Sequence, residues 1–173
     1  MHLIECTFER HAAAILAIFN DAIAHSTALY DYRARNMDQM ESWFAAKQLG
    51  DFPVIGFEHN NGSLMGFASY GPFRAFPAFK YTVEHAIYVD SAFRGQGLGE
   101  QLLQQLILRA QAQQKHTMIG AIDTSNEGSI SLHKKLGFVC NGILPQVGFK
   151  FGHWLDLALY QKTLQTPEHP IDG

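Results

Sequence analysis

Apolar residues recur at helical spacing early in the chain, at Ile15, Ile18, Phe19, Ala22 and Ile23, which predicts an amphipathic helix. A second helix is predicted from about Asn36, with Gln39 three residues on as a capping-box partner and Met40, Trp43 and Phe44 turned inward. Between them lies an aromatic loop, Tyr30-Asp31-Tyr32-Arg33. The period then changes. Phe52 to Glu58 reads as a strand, Asn60-Asn61-Gly62 as a hairpin turn and Leu64 to Tyr70 as the return strand. Gly71 to Lys80 is a loop dense in aromatics, and Tyr81 to Val89 is a further strand. After a glycine-rich turn, Leu98, Leu102, Leu103, Leu106, Ile107 and Ala110 form a stripe spaced for a helix. Thr117 to Ile122 reads as a strand and Asn126 to Leu136 as a helix stopped by Gly137. Phe138-Val139 opens another strand, and a last one runs from about Trp154 to Leu164. Helices alternating with strands in the second half, after a hairpin, predict a mixed α/β layer structure.

Composition narrows the class. The 173 residues are 47% hydrophobic and 17% charged, too apolar for a disordered chain and enough for a sizeable core. That length suggests one domain, expected over residues 1–165, with 166–173 as a flexible tail bearing Pro167 and Pro170. Thirteen basic against sixteen acidic residues give a net charge of -3, which argues against a general nucleic-acid binder and gives no reason to expect an acidic membrane partner. No apolar run approaches the roughly 18 residues of a membrane span. Nor does a basic stretch precede an apolar one at the start, so a cytoplasmic location is expected. Cys6 and Cys140 form neither a disulfide framework nor a metal set. The nine histidines lack H-x-H, H-E-x-x-H or cysteine-paired spacing, so no metal is expected.

The sharpest local signal is Arg94-Gly95-Gln96-Gly97-Leu98-Gly99-Glu100, between a predicted strand and a long helix. Glycines let a backbone approach a ligand closely, and a helix start offers unpaired N–H groups and a positive dipole end, which together suit a phosphate. A tight strand-to-helix turn that binds nothing is the competing reading. A dinucleotide fingerprint is excluded because the third glycine comes one residue early, and a P-loop because Leu98-Gly99-Glu100 supplies no Gly-Lys-Ser/Thr.

Arg-Gly-x-Gly-x-Gly after a strand resembles the pyrophosphate loop of the GNAT superfamily of acyl-CoA-dependent N-acetyltransferases. Asn126, Ser129, His133, Gly137 and Phe138 fall at the spacing of that superfamily's second cofactor motif. Three stretches are similar to the phosphinothricin N-acetyltransferase branch, and within it to relatives acting on methionine sulfoximine and methionine sulfone. These are Thr82 to Val89, Ser131 to Phe138 and Gly148 to Asp156. The resemblance runs to about Leu164 and implies a GNAT-like α/β fold: a mixed, centrally splayed sheet flanked by helices.

It also implies acetyl-CoA as co-substrate. The pantetheine would pair with the backbone of Ile87, Tyr88 and Val89, and the pyrophosphate would meet Arg94 and the amides of Gly95, Gln96, Gly97, Leu98, Gly99 and Glu100. Asn126 matches an asparagine that contacts the cofactor arm, although as a residue type it also suits a helix N-cap. Acetyl transfer to an amine needs a base, a polarised thioester carbonyl and tolerance of the leaving thiolate. Glu84 is the candidate base, since Val83, Ala86 and Ile87 surround it with an apolar setting that raises a carboxyl pKa. Pairing with Arg74 or Lys80 is the alternative for that carboxylate. His85 alternates to the opposite face of the strand, which suggests a structural or interface position. His133 stands where many GNAT enzymes carry a tyrosine acid; acid, base and cofactor contact all remain open for it.

The loop from Phe73 to Tyr81 carries two cations, Arg74 and Lys80, and no acid. Aminoglycosides or polyamines would call for carboxylates there, whereas a small zwitterion with an oxyanion suits these cations. Relatives place the acceptor against residues matching Arg74, Ala75, Phe76, Glu84, His85 and Ala86, and Tyr30 would add an aromatic wall with Tyr32. The acceptor is then an amino-acid-like amine, and a detoxifying role is expected. Relatives also form homodimers, for which Val147 to Trp154 is the candidate contact. Two other functions stay in view: an N-terminal protein acetyltransferase, which needs an open peptide groove, and a non-catalytic acyl-CoA-binding sensor, in which Glu84 is dispensable.

Overall fold

The computed structural model describes residues 1–172. Its strands are β1 (His2–Glu5), β2 (Val54–Glu58), β3 (Leu64–Pro72), β4 (Thr82–Val89), β5 (Thr117–Asp123), β6 (Val139–Lys150) and β7 (His153–Thr163). Its helices are α1 (Phe8–His25), α2 (Met37–Leu49), α3 (Leu98–Ala112) and α4 (Glu127–Lys135). The sheet has the strand order β1-β2-β3-β4-β5-β7-β6. β1–β2, β2–β3, β5–β7 and β6–β7 pair antiparallel, while β4 and β5 pair parallel over Thr82–Glu84 against Thr117–Ile119. No helix among the described residues is long and apolar enough to cross a membrane.

The chain forms two compact units, with β4 running from one into the other. The first holds Met1–Ser69 and Ala86–Leu103. Its core gathers Ile15, Ile18 and Phe19 of α1, Met40 of α2, Val54 of β2 and Phe67 of β3. Phe19 lies at the centre, its ring 5.0 Å from Phe67, 5.1 Å from Tyr88 and 5.5 Å from Trp43, all edge-on. Edge-on rings bring the positive edge of one to the negative face of the next, which adds to the gain from burial. The apolar periodicity of α1 is therefore its core contact, as the spacing predicts. The box at the start of α2 is also present: Asn36 Oδ1 accepts from the Gln39 amide at 3.0 Å and the Asn36 N–H donates back to Gln39 Oε1 at 2.9 Å.

The second unit holds Tyr70–His85 and the chain from Gln104 onward. Leu106 and Ala110 of α3, Met118 and Ile122 of β5, and Leu155, Ala158 and Tyr160 of β7 are buried there. Tyr70, itself buried, satisfies its hydroxyl by donating to Gln113 Oε1 at 2.7 Å.

Two features differ from the expectations. β1 was not anticipated: four mostly exposed residues carry no alternation to read, and the strand exists because β2 offers it a partner edge. β6 is far longer than Phe138-Val139 suggests, reaching Lys150 through Gly142, Pro145 and Gly148; its ladder with β7 absorbs two register shifts that such residues impose. After β7 the Thr166 hydroxyl donates to the Lys115 carbonyl, and the Ile171 N–H donates to the Tyr81 hydroxyl at 3.1 Å.

Replacing Asn36 by Ala removes one of the two reciprocal bonds that start α2. A loss of about 1 kcal/mol in unfolding free energy is expected, read as a lowered denaturation midpoint with an unchanged m value.

Candidate active site

β4 sorts its side chains by the period of two that a strand imposes. Val83 and His85 are buried on one face, while Glu84 between them is half-buried on the other and Ala86 is exposed. Burial holds the Glu84 carboxyl above its ordinary value of 4.5, and the charge of Arg74 opposes that shift without cancelling it. Arg74 and Glu84 form no ion pair. The guanidinium instead folds back on its own neighbour, donating to the Phe73 carbonyl at 2.8 Å and lying 4.1 Å from the Phe73 ring centre. Ala75, Phe76 and Lys80 are exposed along the same loop, with Phe76 at 72% of its full accessible area.

On the buried face, His85 meets His133 of α4, with the two Nε2 atoms 3.0 Å apart and the rings nearly parallel. His133 is fixed from the other side, since its Nδ1 lies 2.7 Å from the Ser129 carbonyl. Burial lowers the pKa of both rings below the ordinary 6.5, and for His85 the neighbouring His133 adds to the effect. Glycine at position 120 of β5 makes room for the pair: a Cβ there would lie 2.8 Å from His133 Nε2 and 2.9 Å from His85 Nε2. The alternation that sends His85 inward thus makes it a buried residue, bonded to a second candidate. Ser129 and His133 are four residues apart on α4 and so share one helix face. The partnership with His85, and the need for Gly120, join three separate elements, and no local pattern carries it.

Asn126 caps α4, its Oδ1 accepting from the Ser129 N–H at 3.0 Å. That commits the carbonyl end and leaves the amide NH2 for a ligand. The helix ends at Gly137, whose φ of +80° is the left-handed cap conformation, and Lys162 Nζ donates to the Leu136 carbonyl at 2.8 Å.

In the first unit, β4 runs out through Ile87, Tyr88 and Val89 into the glycine turn. Asp90 Oδ1 accepts from the Ala92 N–H at 2.9 Å and starts that turn. Gly95 and Gly97 have φ of +77° and +74°, and a Cβ at either would meet nothing within 4 Å. The glycines therefore serve conformation, and the space in front of them is open. Leu98 is buried, so only its backbone faces outward, while Gln96 is exposed. This is a helix start with open space before its glycines, and a helix start of that kind suits a phosphate. Arg94 has another partner that sequence reading missed: its Nη2 donates to Asp21 of α1 at 2.9 Å and its Nε to the Val89 carbonyl at 3.3 Å. Tyr30 and Tyr32 are exposed in the loop after α1. Among the described residues, no three His, Cys, Asp or Glu side chains assemble into a metal ligand set.

The family model described as acetyltransferase (GNAT) family matches residues 14–138. A curated relative from Pseudomonas paraeruginosa, L-methionine sulfoximine/L-methionine sulfone acetyltransferase, is 46% identical over 150 residues, 87% of each chain. A solved structure from Acinetobacter baylyi superposes with a TM-score of 0.98 at 53% identity, covering 99% of this chain and 96% of that one. A phosphinothricin acetyltransferase from Sinorhizobium meliloti, solved with acetyl-CoA, gives a TM-score of 0.93 at 28% identity, covering 98% and 91%. With a glycine turn of the required shape, a seven-stranded mixed sheet and these matches, the chain belongs to the GNAT family of acetyltransferases.

Proposed function

We propose that this chain transfers acetyl from acetyl-CoA to the α-amino group of a small amino-acid analogue such as methionine sulfoximine, methionine sulfone or phosphinothricin. Transfer is direct, and Glu84 is the general base. The observation that carries this reading is the half-buried Glu84 carboxyl, raised by burial and left without an ion pair although Arg74 is near enough to be felt. A carboxylate held that way is a better base near neutrality than an exposed one. The relatives named for methionine sulfoximine, methionine sulfone and phosphinothricin supply the acceptor class. The acid-free loop with Arg74 and Lys80 agrees with it, because these cations attract the acceptor's carboxylate.

In this reading Gly95 to Glu100 hold the pyrophosphate by backbone N–H groups, Arg94 stands beside them, and Ile87 to Val89 bind the pantetheine arm by strand hydrogen bonds. Asn126 offers its free amide NH2. The acceptor's ammonium loses a proton to Glu84, directly or through one water. The freed nitrogen lone pair then forms the C–N bond at the thioester carbonyl, the C–S bond breaks, and the thiolate departs. Acceptor recognition falls to Arg74, Ala75, Phe76 and Lys80 of the loop that precedes Glu84 in the second unit, and Tyr30 and Ala86 are further candidates in the first. The reading treats residues 1–165 as one acetyltransferase domain. A homodimer is part of it: Val147, Phe149, Phe151 and Trp154 expose between 45% and 60% of their area at the β6–β7 turn, and a second copy would cover them. A detoxifying role in the cytoplasm belongs to the same reading.

Thiol release from acetyl-CoA with a panel of amines tests the assignment. Release with methionine sulfone or sulfoximine is expected; none with either, alongside turnover of a peptide N-terminus, would favour the protein acetyltransferase. Glu84→Gln should lower kcat by about 100- to 10,000-fold while acetyl-CoA affinity holds. Only an ionised Glu84 accepts a proton, so kcat/KM should fall as pH drops through a pKa above the ordinary 4.5. In a non-catalytic sensor neither effect exists. Gly97→Ala forces a side chain into a φ of +74° and should weaken acetyl-CoA binding about tenfold with little change in Tm, measured by calorimetric titration.

A further inference from the structure

His85 and His133 pose a question of hydrogen positions that their neighbours answer. A peptide carbonyl can only accept, so the 2.7 Å contact to Ser129 O places a hydrogen on His133 Nδ1. In a neutral ring the Nε2 of His133 then carries a lone pair. The 3.0 Å Nε2–Nε2 contact needs one donor, and that donor is His85 Nε2–H. His85 Nδ1 is left as a bare acceptor, buried and without a hydrogen-bond partner. The chain of bonds runs one way, from His85 to His133 to the Ser129 carbonyl, and ends on a group that passes no proton onward.

We propose that His85 is a positioning residue, whose bond to His133 ties β4 to α4 and leaves His133 with no proton to give the leaving thiolate. Neither ring is the acid of the reaction. For His133 to serve as one, its Nε2 would need a second hydrogen where the His85 N–H already points, and two donors would face each other across 3.0 Å. The thiolate departs as the anion and takes its proton from water, while the proton removed from the amine leaves through Glu84. What the pair supplies is geometry. Strand alternation makes the buried anchor of His85 set the position of Glu84 next to it, and Gly120 admits no Cβ into the same space. The surroundings favour neutrality: Phe138, just before β6, packs on both rings at 5.1 and 5.7 Å, and Tyr160 of β7 lies 6.2 Å from the His133 ring. Tyr160 is a titratable group packed on that side, and Glu84 lies on the opposite face of β4.

Nitrogen NMR of the full-length protein tests the bond without any substrate. Long-range proton–nitrogen spectra between about pH 5.5 and 8 should give hydrogens on His133 Nδ1 and His85 Nε2, bare nitrogens at the other two positions, and no titration of either ring. A two-bond coupling between the two Nε2 atoms should be visible. A hydrogen on His133 Nε2, or either ring charging in that range, overturns the proposal. The kinetic arm rests on the acetyl-transfer reading above, and the spectra decide the bond even if none of those amines is turned over. There, His85→Leu should lower kcat about tenfold or more and leave in place the low-pH fall of kcat/KM that Glu84 sets. His85→Gln, whose amide NH2 reaches the same point, should recover activity to within about threefold of the original. Gly120→Ala, which removes no polar group, should abolish the coupling and lower kcat as His85→Leu does. Full activity in His85→Leu, or no recovery in His85→Gln, counts against the positioning role.

Discussion

Strand alternation in β4 is the constraint on which the site depends. A strand cannot turn two neighbouring side chains to the same face, so burying Val83 and His85 obliges Glu84 to face the other way. The buried face is held by more than apolar contact, because His85 is hydrogen-bonded to a helix that lies 48 residues further along the chain. A shift of one residue in register would exchange the two faces, bringing a carboxylate into the histidine pocket. The parallel pairing of Thr82–Glu84 with Thr117–Ile119 blocks that shift. The environment that raises the Glu84 carboxyl is thus a consequence of where its neighbours must go.

The second unit pays for a buried polar pair with strict steric demands. Two imidazoles occupy a space that leaves no room for a single methyl group on β5, and their hydrogen bonds run in one direction to a helix carbonyl. Buried polar groups are costly when unpaired and rigid when paired, so such an arrangement favours one geometry strongly over its alternatives. The first unit uses a different device. Its glycine turn depends on backbone conformation and on open space, with Asp90 and the Arg94–Asp21 ion pair holding the flanks. One device fixes side chains against each other; the other keeps side chains away.

Much of this was legible in the residues. α1 shows its core face in the spacing of Ile15, Ile18, Phe19, Ala22 and Ile23, and α2 shows its start in Asn36 and Gln39, because helix contacts and caps are local. The glycine turn is legible for the same reason: positive φ angles at Gly95 and Gly97 are a property of single residues. β1 and the length of β6 were not, since an exposed strand exists only through its partner and carries no pattern of its own.

The sequence alone determined the helices, the central strands, the glycine turn and the opposite facing of Glu84 and His85, all of which follow from backbone period and residue type within a few positions. Tertiary structure alone decided that His85 and His133 meet, that Gly120 must lack a side chain, that Arg94 pairs with Asp21, and that Glu84 stands clear of an ion pair with Arg74. Those outcomes depend on distances between residues far apart in the chain, and hydrogen bonding and exclusion at about 3 Å are settled only once the elements have packed.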